Sequence, residues 1–138
     1  MAVGFKVKYY WYQVGHGDFL HSFFSTVSYH LEEQGWGSKY PHLLNELYQG
    51  KLETKNIEAA LEELKDIKER LKEYSPSQVI WDIEDINKRP PWGDNISEDI
   101  TDLSNYFVTS DGEDFISLLK SVLEKGLKTK SEVLIDSI

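Results

Sequence analysis

Four histidines and a run of closely spaced carboxylates are the groups in this chain best suited to chemistry. The histidines are His16, His21, His30 and His42. Two zinc-binding histidines on one helix face need a spacing near four, as in H-E-x-x-H. His21 and His30 are nine apart, which sets them on roughly opposite sides of a helix, and His16 and His21 straddle a helix start. The pattern gives little support to a metal site: His21 fits a first helical turn near Asp18, and His42 fits a surface turn. Asp82 and Glu84 share one face of an expected strand, and Asp85 follows. Paired carboxylates can bind Mg²⁺ or perform acid–base work. No partner base or nucleophile is specified beside them, so a solvated acidic face or a binding role is the preferred reading. Gly15-His16-Gly17 resembles G-x-G but lacks the third glycine of a dinucleotide loop, and reads as a tight strand-to-helix turn.

The carboxylates belong to a larger pattern. Residues 75–115 carry ten acids and only two bases, Lys88 and Arg89, a formal −8 of the chain's −9. Trp81, Pro90, Pro91, Trp92, Tyr106 and Phe107 are interleaved with them. Such a surface suits the capture of a basic partner. Opposite charge speeds encounter, and desolvated Trp and Tyr contacts slow escape. Trp11, Trp36 and Trp81 are expected in the core, whereas Trp92 sits between prolines and a glycine, in a loop suited to recognition.

At 138 residues the chain has the usual length of one domain, and residues 1–138 are read as one. With 40% hydrophobic and 13% aromatic residues it can build a core, unlike a disordered acidic tail. The negative balance argues against direct contact with nucleic acid or an anionic membrane. Without cysteine there is no disulfide framework and no thiol chemistry. No cofactor is expected. The N-terminus alternates lysine with apolar residues and has no apolar run like that of a secretory signal, so the expected location is cytoplasmic.

Several elements must position these groups. Residues 3–14 read as one strand, with Val3, Phe5, Val7, Tyr9 and Trp11 on one face. Asp18 fits the N-cap of a helix reaching about Gln34, with Gly35 after its end. Pro41 suits the start of a short helix carrying Leu43, Leu44, Leu47 and Tyr48, stopped by Gly50. A third helix spans about Asn56 to Tyr74, with Ile57, Ala60, Leu61, Leu64, Ile67 and Leu71 inward. Its pairs Glu62–Lys65, Asp66–Arg70 and Glu69–Lys72 are each worth only about 0.2–0.5 kcal/mol. Gln78–Glu84 and Asn105–Thr109 read as strands flanking the rigid loop Lys88–Asn95. Ser110 and Glu113 fit a capping box opening a helix with Phe115, Leu118, Leu119, Val122 and Leu123. Glu132–Ser137 reads as a last strand. The order β-α-α-α-β-β-α-β predicts an α+β fold, a small, mostly antiparallel sheet with helices on one face.

Several sequence words carry a family resemblance: His21-Ser22-Phe23-Phe24-Ser25-Thr26-Val27-Ser28-Tyr29, Trp36-Gly37-Ser38, Asn45-Glu46-Leu47-Tyr48-Gln49-Gly50, Val79-Ile80-Trp81-Asp82-Ile83-Glu84-Asp85, Pro90-Pro91-Trp92-Gly93 and Asn105-Tyr106-Phe107-Val108-Thr109-Ser110-Asp111-Gly112. Together, across about residues 2–125, the chain resembles the immunity protein 70 family of bacterial polymorphic toxin systems. The resemblance implies an α+β cytosolic antidote encoded beside a secreted toxin, binding the toxin's C-terminal domain and blocking its active site. That family is not known for catalysis, and the resemblance carries over no contact residues.

The preferred reading is thus a toxin-neutralising protein, not an enzyme. Its binding surface is expected at Asp82, Glu84, Asp85, Trp92, Asp94, Glu98, Asp99 and Tyr106. The partner is expected to be a basic toxin domain, a nuclease being one case, and the protein itself a monomer or weak homodimer. One rival is a small metal-dependent hydrolase using Asp82, Glu84 and a histidine, which a metal titration would reveal. Another is a structural adaptor subunit, which would form a stable oligomer.

Overall fold

The alternation read as one strand over residues 3–14 is broken at Lys8-Tyr9, where the chain reverses. In the computed structural model, which describes residues 2–137, Ala2–Val7 (β1) and Tyr10–His16 (β2) form an antiparallel hairpin. The reversal resets the faces. Phe5 pairs with Tyr12 and Val7 with Tyr10, so these tyrosines join the inner face, and Trp11 lies outside with Lys6. Gly4 makes room for it, since a Cβ there would meet the Trp11 ring at 2.8 Å. The register slips between Val3 and Gly4, leaving Val14 as a bulged residue whose carbonyl accepts the Ser110 N–H at 3.0 Å.

The sheet is completed by Lys51–Leu52 (β3) and Val133–Ser137 (β4), in the order β2-β1-β4-β3 with every pairing antiparallel. The last strand lies where the sequence places it; the two-residue β3 has too little pattern to be read. Three helices of equal length, Gly17–Leu31 (α1), Ile57–Leu71 (α2) and Phe115–Thr129 (α3), pack against the sheet. The fold is α+β, as predicted. The expected short helix after Pro41 is a π-helical segment, His42–Leu47, whose first free amides, His42 N and Leu43 N, donate to Glu63 on α2.

Two helix starts differ from expectation. His16 caps α1, its Nδ1 accepting from the Asp18 amide at 3.2 Å, so Asp18 is already inside the helix. Ser110 and Glu113 do not form a capping box. Ser110 is held by Val14 and Gln13, and Thr109 closes a tight loop onto Glu113. The cap is Asp114, which accepts from the Ser117 amide at 3.0 Å and delays α3 to Phe115.

The buried apolar side chains make one continuous core. Phe23 is at its centre, with ring centroids 5.3 Å from Phe24, 5.2 Å from Phe107 and 4.5 Å from Phe115. Each such side chain removed from water stabilises the fold by roughly 1.5–3 kcal/mol. α1 is buried on nearly every side, which suits a helix rich in Phe and Leu. Among the described residues no helix is long and apolar enough to cross a membrane.

Candidate functional site

The acidic segment is neither of the two strands expected in it. Residues 79–114 run as irregular turns, with only a Val108–Asp114 bridge where Asn105–Thr109 was expected to form a strand. The reason is visible in α1. Ser22, Ser25 and Thr26 are fully buried and supply the hydrogen bonds that a neighbouring strand would have given. The Ile80 amide donates to Thr26 Oγ1 at 3.0 Å, and its carbonyl accepts from Ser22 Oγ at 2.8 Å and Thr26 Oγ1 at 3.1 Å. The Ile83 amide donates to Ser25 Oγ at 3.2 Å. Just ahead of this strap, His30 Nε2 donates to the Gln78 carbonyl at 2.6 Å. A row of hydroxyls on a helix thus takes the place of a sheet edge.

Asp82 anchors the strap further. Its Oδ1 accepts from His21 Nε2 at 3.2 Å and from the Glu84 amide at 2.9 Å, while Lys88 Nζ lies 3.7 Å from Oδ2. Nδ1 of the same ring lies 2.6 Å from the Tyr48 hydroxyl, so the imidazole bridges Asp82 and Tyr48. The His21 ring stacks on Trp36 with centroids 6.4 Å apart. The Glu84 amide, with weaker help from His21 and Lys88, holds the Asp82 carboxyl below the usual aspartate range against the opposing effect of burial. Burial, together with the charges of Asp82 and Glu84, pushes the Tyr48 hydroxyl up, so it stays protonated and donates. The arrangement orients Asp82 inward, toward partners within the chain. Among the described residues no three histidines or carboxylates converge as metal ligands.

Trp92 occupies a second neighbourhood. The turn Pro90–Gly93 closes with the Gly93 amide on the Pro90 carbonyl at 2.9 Å, and Gly93 takes a φ of +58°. This raises the indole to the surface, where it is 39% exposed. It is held there firmly. Trp92 Nε1 donates to the Tyr106 hydroxyl at 2.9 Å, and the ring stands edge-on to Trp81 with centroids 5.3 Å apart. Below it lies a shallow hollow of about 210 Å³ lined by Phe19, Ile96, Ile100, Tyr106 and Val108. Ile86 and Val108 add exposed apolar surface. Burial raises the Tyr106 phenol, and the Trp92 bond opposes that rise.

The expected surface residues therefore fall into groups. Glu84, Asp85, Asp94, Glu98 and Asp99 are exposed. Asp94 is 95% exposed, with Arg89 4.0 Å away. Asp82 is half-buried within the His21 cluster, and Tyr106 is only 5% exposed, so it supports Trp92 from beneath. The Trp81–Trp92 contact joins the two neighbourhoods. Sequence reading missed the parts played by His21, Tyr48 and the hydroxyl row of α1. The available signal was Ser22, Ser25 and Thr26 interleaved with Phe and Leu, polar where a core helix needs none.

The match to known families decides the class. Immunity protein 70 matches residues 5–135, nearly the whole chain. The chain belongs to that family. No curated protein and no solved structure matches it. Membership makes it an immunity protein, a class that acts by binding a cognate toxin.

Proposed function

We propose that this immunity protein neutralises a basic toxin domain, such as a nuclease, by laying its strap across the toxin's cationic cleft as a charge mimic. The observation that carries the reading is the mounting of Trp92. A large aromatic is fixed at the surface by Tyr106 and Trp81, beside an apolar hollow and close in sequence to Asp94, Glu98 and Asp99. A pre-ordered aromatic loses little freedom on binding, which is how hot spots reach high affinity. Exposed Glu84, Asp85, Asp94, Glu98 and Asp99 supply the steering charge; Asp82 and Tyr106 shape the surface from within.

The test begins with a tagged pull-down from the producing cell to isolate the toxin domain encoded beside this protein, followed by binding kinetics with that domain. Trp92→Ala should weaken affinity about 30-fold or more, chiefly through faster dissociation. The association rate should fall steeply between about 50 and about 500 mM salt. An unchanged affinity in Trp92→Ala removes the assignment of the anchor. A salt-independent association rate removes the charge mimic while leaving family membership untouched.

A further inference from the structure

Among the described residues, eight have positive φ angles, and six of them are glycines. The two exceptions are Lys8, at φ 57°, and Lys130, at φ 56°. Lys8 begins the two-residue turn of the β1–β2 hairpin, and Lys130 ends α3. Both are positions where glycine is the unstrained choice. The two strained lysines lie far apart in sequence, yet they line the same cleft.

That cleft is about 730 Å³ in volume and opens on the sheet face turned away from the helices. Lys6, Lys8, Lys55 and Lys130 line it, with Leu134 beside them and the hydroxyl residues Thr54 and Ser131 in the wall. Register places Lys6 opposite Leu134 on this outer face. Two carboxylates in the wall are already engaged, Glu53 with Lys55 at 3.5 Å and Glu132 with Lys51 at 3.5 Å. Among the described residues, Lys6, Lys8 and Lys130 enter no ion pair. Three lysines with no ion-pair partner among the described residues, from a strand, a turn and a helix cap, thus line one hollow, in a protein whose net charge is −9.

We propose that this cleft is a binding site for a small ligand carrying several phosphates. Backbone strain persists where something else requires the residue, and here both strained residues are lysines facing one cavity. Lysine ammonium groups act as mobile point charges, which suits phosphate oxygens from several directions. The volume fits a ligand of nucleotide size. The site is separate from the acidic strap, so it stands or falls apart from toxin binding.

The test is calorimetric titration of the full chain with inorganic triphosphate and, in parallel, ATP, at low salt. Wild type should bind both saturably at one site; a tighter ATP would show that the base is held too, and equal affinity that the phosphates alone are. Lys8→Gly and Lys130→Gly should each weaken triphosphate about tenfold. Both should also raise the melting temperature, because glycine takes the left-handed conformation freely. Lys68→Ala, on the exposed face of α2, should leave binding unchanged. The proposal fails if wild type shows no saturable binding, if the glycine variants bind equally well, or if Lys68→Ala loses as much. It also fails if an oligoglutamate peptide or a single-stranded oligonucleotide binds more tightly than triphosphate, which would make the cleft a macromolecular docking surface.

Discussion

The sheet with its three helices and the strap over residues 79–114 satisfy their backbones in different ways. The first region uses periodic ladders: four antiparallel strands and three helices of equal length. The strap uses side chains. Its amides and carbonyls are met by Ser22, Ser25 and Thr26 of α1, by Asp82, Asp102 and Asn105, and by tight turns. A ladder tolerates the loss of one side chain because its bonds are between backbones. A strap held by side chains can be released by one substitution. The comparison predicts a molecule with a robust core and a conditional surface.

Phe23→Ala should have the largest effect, because it damages both regions. Phe23 is fully buried and packs on Phe24 in its own helix, on Phe107 of the strap and on Phe115 of α3. The expected loss is about 3–5 kcal/mol in denaturant unfolding, with the transition still cooperative. If the strap lost protection from hydrogen exchange while the sheet kept its own, Phe23 would belong to the strap alone, and the core would be less unified than its packing indicates.

Thr26→Val separates the two regions. The shapes match, but valine can neither accept the Ile80 amide nor donate to its carbonyl. The Ile80 carbonyl keeps its bond from Ser22 Oγ, but leaving the Ile80 amide unsatisfied should cost about 1–3 kcal/mol. Hydrogen exchange should rise at residues 79–83 and stay unchanged in β1 and β4. Equal rises in both would show that the strap and the sheet open as one unit.

The same contrast explains which parts of the fold were legible. α2 and β4 followed from simple periodicity, since Ile57, Ala60, Leu64, Ile67 and Leu71 recur at helical spacing and are buried. The hairpin was not legible because Val7-Lys8-Tyr9-Tyr10 offers none of the glycine or asparagine that marks a two-residue turn. The strap does not form the expected strands although Val79, Trp81 and Ile83 alternate like strand residues, because the partner that decides their conformation is a helix 54 to 58 residues earlier in the chain. The exposure of Trp92 in a loop is legible, because two prolines and a glycine are local signals. Tyr106 was not recognised as its support, because a phenol reaching an indole fourteen residues away leaves no local pattern.

Acid should release the strap through Asp82. Its carboxyl is held below the usual value of 3.8, first by the Glu84 amide and then, against burial, by His21 and Lys88. A depressed folded value means that this stabilisation is complete above the unfolded value and is lost as pH falls through the folded one. Fluorescence of Trp81 and Trp92 should therefore shift as the solution is acidified below about pH 4, before global unfolding. Asp82→Asn should remove that step. A step that survives the substitution would assign the acid response to Asp102, whose carboxyl is also lowered, in spite of burial, by Ser104 and Thr101.

The smallest expected effect sharpens the comparison most. The carboxylates of Glu84, Asp94, Glu98 and Asp99 accept no hydrogen bond among the described residues, and all four residues are exposed. Replacing them singly with Gln or Asn should change stability by less than about 0.5 kcal/mol, in either direction. Removing several together should stabilise slightly, because the strap repels itself at a net charge of −8 within residues 75–115. The same multiple variant should slow association with the toxin domain. Unfolding midpoints and association rates measured on one set of variants decide the matter. If neutralisation costs more than about 1 kcal/mol, these acids hold the strap together and are not free to steer a partner. If stability is kept while association slows, the strap's acids divide as the structure divides them, with Asp82 and Asp102 turned inward to fix the chain and the exposed four turned outward to meet the toxin.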